Sequence, residues 1–86
     1  MDGDLEKATE IVRNLFDEYG GPVTRALSAR DIVQWDSLMN VQFMVSIEHV
    51  FGVRFTTREL GKFQNLGEVL DAIKAKRAGE GIVHRP

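Results

Sequence analysis

One serine, Ser37, stands where its hydroxyl could carry a covalently attached phosphate group. It follows Asp36 and directly precedes the longest apolar-rich stretch of the chain, Leu38 to Phe51. Asp and Ser are favoured at helix N-termini, because their side-chain oxygens accept hydrogen bonds from the first free backbone N–H groups. A phosphate placed there would also meet the positive end of the helix dipole. Taken alone, the Asp-Ser pair is more readily explained as a simple helix cap. The rest of the sequence is needed to distinguish a cap from an attachment site.

Self-contained catalysis at Ser37 would lack a base. The candidate base is His49, but it lies twelve helical residues away, which corresponds to about 18 Å. A serine nucleophile needs its base within hydrogen-bonding distance. His84 belongs to a C-terminal segment that we expect to be disordered. The chain is therefore not expected to be an enzyme.

The composition argues against several other functions. The 86 residues include no cysteine and two histidines, so disulfides and thiol catalysis are excluded and a metal site is not expected. Acids outnumber bases by eight to four in residues 1–36, and bases outnumber acids by seven to five in residues 37–86. Neither half has the dense basic stripe that nucleic-acid binding needs. Without an apolar run long enough for a membrane span or a secretory signal, we expect a cytoplasmic protein that does not bind membranes.

The hydrophobic pattern predicts an all-α fold, a small four-helix bundle with a long loop between helices I and II and a short helix III. Helix I is predicted from about Asp4 to Tyr19, ended by Gly20-Gly21-Pro22 with a left-handed glycine cap. Helix II is predicted from Ser37 to about Phe51, where Gly52 ends it. In the loop between them, Ser28 to Asp31 could form one helical turn. The loop residues predicted to contact the core are Leu27, Ile32, Val33 and Trp35.

Capping signals predict the remaining two helices. Thr56 and Glu59 have the spacing of a capping box, so helix III should run from Thr57 to about Lys62. Asn65 caps a fourth helix that frays near Arg77. One domain is thus expected over residues 1–78, followed by a disordered tail, 79–86.

Helix II is predicted to be apolar on two sides. Its core face is expected to hold Val41, Phe43, Met44, Ile47 and Phe51. The opposite side carries a second row, namely Leu38, Gln42, Val45 and His49, and Glu48 is the one acid within the helix. Such a helix is either covered by protein or offers a docking surface, and the chain has too few residues left to cover it. A helical protein–protein adaptor would use the same surface, whereas a DNA-binding helix pair is disfavoured by the few bases.

Over about Leu5 to Lys76 the sequence resembles the acyl carrier protein family. The similarity is strongest at Asp36-Ser37-Leu38 and continues at Phe51-Gly52-Val53. Further matching positions are Phe55, Leu60, Phe63, Leu66 and Ile73. The resemblance implies a non-catalytic carrier with a 4′-phosphopantetheine arm on Ser37, flanked by Asp36 and Leu38 in the attachment motif. A separate transferase would attach that arm from coenzyme A with Mg²⁺, and acyl-loading and acyl-processing enzymes would be the other partners.

The sequence also departs from the pattern of this family. Met39, Asn40 and Gln42 stand where acids are frequent, and Arg54 and Arg58 add positive charge nearby. A basic fatty-acid synthase surface does not suit such a helix, and the motif with Trp35 resembles discrete carriers of polyketide and related specialised pathways. Peptidyl carriers of non-ribosomal synthesis remain an alternative. The residues expected to contact partners are Leu38, Met39, Gln42, Val45, Glu48, Arg54 and Arg58.

Overall fold

The computed structural model describes residues 3–78, and within them it contains helices and no strand. The helices are α1 (Gly3–Leu15), α2 (Ser37–Phe51), α3 (Thr57–Leu60) and α4 (Leu66–Arg77), and a 3-10 turn, Ala29–Asp31, lies between α1 and α2. The all-α prediction with its long first connection and short third helix is confirmed. None of these helices is long and apolar enough to cross a membrane. The predicted tail, 79–86, lies outside the described residues.

A single hydrophobic core joins the helices to the long connection. Burial of apolar side chains is the main force that holds such a small domain together. The buried residues are Ala8, Ile11, Val12, Phe16, Leu27, Ile32, Phe43, Met44, Ile47, Phe51, Val53, Phe55, Leu66, Val69, Leu70 and Ile73. Every helix except the four-residue α3 contributes to this set, and so do the loop before α2 and the extended link after it.

α1 ends at Leu15, earlier than the predicted end at Tyr19. The apolar stripe nevertheless continues beyond the helix, because Phe16 is fully buried and Tyr19 packs on the edge of the core. Arg13 fixes the turn that follows, since its guanidinium donates to the backbone carbonyls of Tyr19 and Gly21 at 2.8 Å each. No glycine of this turn has a positive φ, so the predicted left-handed cap is wrong.

α2 has the predicted bounds and clear caps at both ends. The Oδ1 atom of Asp36 accepts a hydrogen bond from the Met39 N–H at 2.9 Å, which makes Asp36 the N-cap. At the other end Gly52 adopts the left-handed conformation, with φ 68° and ψ 33°. Its N–H donates to the Glu48 carbonyl at 2.9 Å, so the last turn of the helix is closed. Glycine is needed at this position because other residues are strained there.

The core face of α2 is narrower than predicted. Val41 was expected inside with Ile47 but is about half exposed. At about 100° per residue, these two side chains point roughly 120° apart around the helix, so one face cannot bury both. In the preceding loop Val33 is fully exposed, although it was expected to contact the core. The predicted core face of α2 was thus too broad, and in the loop the apolar character of Val33 does not lead to burial.

The caps of α3 and α4 agree with the prediction, and the end of α3 does not. Thr56 and Glu59 form the expected capping box, and the side chain of Asn65 accepts from the Glu68 N–H at 3.0 Å. α3 ends at Leu60 rather than near Lys62. The α3 helix is thereby a single turn.

Hydrogen bonds join the long connection between α1 and α2 to the start of α4. The N–H groups of Leu66 and Gly67 donate to the carbonyls of Leu27 and Arg25, at 2.8 Å each. These N–H groups belong to the first turn of a helix and have no acceptor within it. A Cβ atom on Gly67 would lie 3.1 Å from the Arg25 carbonyl oxygen, so the close approach favours glycine. Asp31 closes the 3-10 turn by accepting from the Ser28 N–H at 2.9 Å.

Ion pairs join distant parts of the chain. Arg77 at the end of α4 contacts Asp4 at the start of α1 with an N–O distance of 2.6 Å. Lys76 contacts Glu59 of α3 at 3.1 Å. The first and last described helices therefore meet at their outer ends.

Candidate functional site

Ser37 is the first residue of α2, and its side chain is exposed. Its hydroxyl makes no hydrogen bond to any residue in the range 3–78. The capping task belongs to Asp36 alone, because the Asp36 carboxylate holds the Met39 N–H. The N–H groups of Ser37 and Leu38 find no acceptor among the described residues, as expected for the first turn of a helix. The site thus combines a free hydroxyl with two unused backbone donors.

Trp35 fixes the chain that leads into this helix. Its ring stacks on Phe16 with centroids 4.8 Å apart and meets Phe43 at 4.9 Å. Its Nε1–H donates to the Oδ1 atom of Asn40 at 3.1 Å. These contacts agree with the prediction that Trp35 contacts the core and so anchors the loop. Because Trp35 is held from three sides, the position from which Ser37 projects is also fixed.

A narrow cavity of about 70 Å³ borders the same tryptophan. It lies between α2, α3 and the start of α4, and its walls include Trp35, Phe43, Met44, Leu60 and Phe63. Most of these walls are apolar side chains that also belong to the core or its edge. α2 contributes Asn40, Phe43 and Met44, so the cavity borders the middle of this helix, and Ser28, Gln64 and Asn65 line it as well.

The surroundings of Ser37 do not form a catalytic centre. His49 lies twelve residues along the same helix, so about 18 Å separates it from the serine. The neighbouring carboxylate, Asp36, is engaged as the helix cap. Groups of three or more His, Cys, Asp or Glu residues that could hold a metal ion do not occur in the described part of the chain.

The residues predicted to contact partners differ in how much of their side chains is exposed to solvent. Leu38, Gln42 and Val45 are exposed along α2. Met39 is half-buried and packs against the core, so only part of its side chain faces outwards. The exposed set also includes Val41, which was expected in the core. Its spacing from Leu38 and Val45, three residues and four, is the signal that could have identified it.

The charged residues predicted to contact partners differ in the hydrogen bonds and ion pairs that they form. One carboxylate oxygen of Glu48 accepts from the Phe55 N–H at 2.8 Å, which holds the extended link after α2. Arg54 and Arg58 are exposed and form no ion pair with other described residues. The sequence predicted Glu48 only as a residue that contacts partners. Its hydrogen bond with the Phe55 N–H was not predicted, because Phe55 lies beyond the end of the helix.

The chain is a small all-helical domain with an exposed serine at the start of α2. No protein-family model and no curated protein sequence matches the chain. A solved structure is similar to it, the solution NMR structure of a holo acyl carrier protein from Geobacter metallireducens. That protein is 34% identical, the match covers 99% of this chain and 98% of that one, and the TM-score is 0.79. The chain belongs to the acyl carrier protein family, and it is a non-catalytic carrier.

Proposed function

We propose that this carrier holds an acyl group as a thioester on a 4′-phosphopantetheine arm attached through the Oγ atom of Ser37. The observation that supports this most directly is the Asp-Ser-Leu motif at the start of α2, with an exposed serine hydroxyl that no described residue engages. The similar Geobacter protein is a holo form, that is, one with its prosthetic group attached. The arm would supply the thiol that a chain without cysteine lacks.

The residues around Ser37 fit a phosphodiester. The unused N–H groups of Ser37 and Leu38 can donate to phosphate oxygens, and the dipole of the fifteen-residue helix favours negative charge there by roughly 0.3–1 kcal/mol. The nearest acid, Asp36, directs one carboxylate oxygen to the Met39 N–H. Trp35 keeps the loop in place, so the hydroxyl projects from a rigid support.

The partners we propose are a phosphopantetheinyl transferase and enzymes that load or process the acyl group. The exposed side of α2, with Leu38, Gln42 and Val45, is the surface we expect them to contact. A role in a polyketide or related specialised pathway fits this surface better than fatty-acid synthesis, because the exposed side lacks a free acidic row. Polar amides and apolar side chains stand there instead.

The attachment can be tested by intact-protein mass spectrometry. The purified apo protein is incubated with coenzyme A, Mg²⁺ and a broad-specificity transferase, and we expect the added mass of one arm. The Ser37→Ala variant should gain none. Ser46→Ala, a change of another serine in the same helix, is the matched control and should be modified like the wild type. An unmodified wild type beside a modified reference carrier would contradict the proposal.

A further inference from the structure

The narrow cavity beside the tryptophan has one wall that contains no buried residue. Leu60 at the end of α3 and Phe63 in the link to α4 form this wall. Both side chains pack only on the edge of the core, and no residue in the range 56–65 is buried. The walls that α2 contributes include Phe43 and Met44, which are buried. The cavity is therefore closed more loosely on the α3 side than on the α2 side.

The chain is firmly held on both sides of this wall. Before it, the Phe55 ring is buried and the Phe55 N–H donates to the carboxylate of Glu48 at 2.8 Å. After it, the Leu66 side chain is buried and the Leu66 N–H donates to the Leu27 carbonyl at 2.8 Å. Residues 56–63, which we call the α3 segment, therefore lie between two fixed points.

The backbone hydrogen bonds of the α3 segment do not attach it to the rest of the domain. Thr56 and Glu59 form a capping box with each other, and the Leu60 N–H donates to the Thr56 carbonyl at 3.1 Å. A single helical turn is not stable by itself, because its few hydrogen bonds do not offset the cost of ordering the chain. The α3 segment therefore needs a contact from outside to keep its structure.

The side chain of Lys76 in α4 supplies this contact. Its Nζ atom lies 3.1 Å from each carboxylate oxygen of Glu59 and 5.2 Å from the centroid of the Phe55 ring. The same ring meets the ring of Phe63 edge-on, with centroids 5.6 Å apart. The side chains of Lys76 and Glu59 are only 22% and 25% exposed, so water and salt screen this pair less than an open surface pair. Among residues 3–78, no other hydrogen bond or ion pair joins the α3 segment to another part of the chain.

We infer that Lys76 holds the α3 segment closed over the cavity, and that this segment opens as one unit while the rest of the domain stays folded. When the ion pair with Glu59 breaks, the segment loses its helical turn, and Leu60 and Phe63 move away from the walls that α2 contributes. Small molecules in the solvent then reach these walls. The inference does not depend on modification of Ser37, so its failure would leave the proposed function unaffected.

The absence of cysteine from the chain makes thiol labelling a direct test. Met44→Cys places a thiol in the cavity wall, and Ala8→Cys places one in the core at a position that does not line the cavity. Both apo variants are treated with iodoacetamide at a series of urea concentrations below the unfolding transition. We expect labelling of Met44→Cys to be the faster and to be nearly independent of urea, because a local opening exposes little surface. Equal rates with the same urea dependence would mean that the cavity opens only by global unfolding, and would overturn the inference.

Substitutions of Lys76 in the Met44→Cys variant test the role of its charge. Lys76→Met keeps an apolar stem without the ammonium and should speed the urea-independent labelling roughly threefold to tenfold. Lys76→Arg should restore a rate close to that of Met44→Cys alone. Lys74→Met is the matched control, because Lys74 belongs to the same turn of α4 but forms no ion pair within residues 3–78. An unchanged rate in Lys76→Met, or an equal effect of Lys74→Met, would contradict the role of Lys76.

A double-mutant cycle tests whether Lys76 acts through Glu59. Glu59→Gln removes the charge but keeps an acceptor for the Thr56 N–H, so the capping box can persist. This variant should speed labelling about as much as Lys76→Met, and the double variant should be hardly faster than either single one. Effects of the two substitutions that multiply would show that the side chains act independently, and would overturn the inference.

Discussion

At the scale of single residues, two neighbours at the start of α2 have separate tasks. Asp36 completes the helix, since its carboxylate accepts from the Met39 N–H at 2.9 Å. Ser37 contributes no side-chain hydrogen bond to the fold as far as the structure describes it. The Ser37 hydroxyl therefore has no structural role among the described residues, because Asp36 caps the helix. A modification of Ser37 need not disturb the helix that presents it.

This division of tasks gives different stabilities for two alanine variants. Asp36→Ala should lower the free energy of unfolding by about 0.5–2 kcal/mol, because the N-cap hydrogen bond is lost. Ser37→Ala should change it by less than about 0.5 kcal/mol, as expected for an exposed position without a partner. Urea unfolding of both apo variants measures the difference. Equal losses would mean that the serine oxygen also caps the helix.

Local sequence patterns were sufficient to predict the role of residues that interact with their neighbours along the chain. The positions of Asp36 and Ser37 at the helix start, and the anchoring by Trp35, were predicted and agree with the structure. The hydrogen bond of Glu48 was not predicted, and the expectation that Val41 is buried was wrong. Glu48 bonds to the backbone of Phe55, and the exposure of Val41 depends on which side of α2 the rest of the chain covers. Both depend on the folded chain rather than on spacing along it.

At the scale of elements, helix ends with their own capping residues could be predicted, and ends fixed by distant residues could not. Both ends of α2 carry a local signal, Asp36 and Gly52, and both were predicted. The predicted end of α1, Tyr19, lies beyond the observed end, Leu15. There the N–H of Glu18 donates to the side chain of Gln34 at 3.1 Å, and Arg13 holds the next carbonyls. No pattern within the first helix contains that information.

Two glycines that differ in backbone conformation allow a test of the α2 end. Gly52 has a positive φ, and a Cβ atom added there would meet no other atom within 4 Å, so Gly52→Ala is strained by conformation alone and should cost about 1–2 kcal/mol. Gly61 also has open space, but its φ is −100°. Gly61→Ala should therefore be neutral or stabilising by up to about 1 kcal/mol. Thermal melts compare them, and a similar loss in both variants would refute the conformational explanation.

The inner face of α2 can be tested by a pair of adjacent residues. Phe51 is buried, whereas Val50 beside it is partly exposed. Phe51→Ala should destabilise the domain by about 3–5 kcal/mol, because a large core side chain is removed and a cavity remains. Val50→Ala should cost much less. Thermal unfolding followed by far-ultraviolet circular dichroism measures both, and a shift of only a degree or two in the melting temperature of Phe51→Ala would show that the face is misassigned.

At the scale of the whole molecule, ion pairs join one helix to another. Glu59 of α3 accepts from the Nζ atom of Lys76 in α4. Partial burial would raise the pKa of Glu59, but the hydrogen bond from the Thr56 N–H and the ammonium of Lys76 outweigh it and hold that pKa below its ordinary value. The charged carboxylate therefore stabilises the fold.

The contribution of Glu59 should depend on pH. Because its pKa is lower in the folded than in the unfolded chain, the stabilisation is complete above the ordinary value and is lost as the pH falls through the folded value. Glu59→Gln keeps a hydrogen-bond acceptor without the charge. It should be less stable than the wild type by up to about 1 kcal/mol at neutral pH, and the difference should shrink towards pH 3. A difference that is constant across this range would contradict the electrostatic cause.

The contact between Arg77 and Asp4 has a consequence for how the domain could be joined to other chains. Because it brings the outer ends of α1 and α4 together, a short flexible segment could link the two ends without crossing the fold. New termini could then be opened at the exposed turn that contains Gly61. For the same reason the domain could be inserted into a loop of a host protein, since the outer ends of α1 and α4 lie on the same side of the domain.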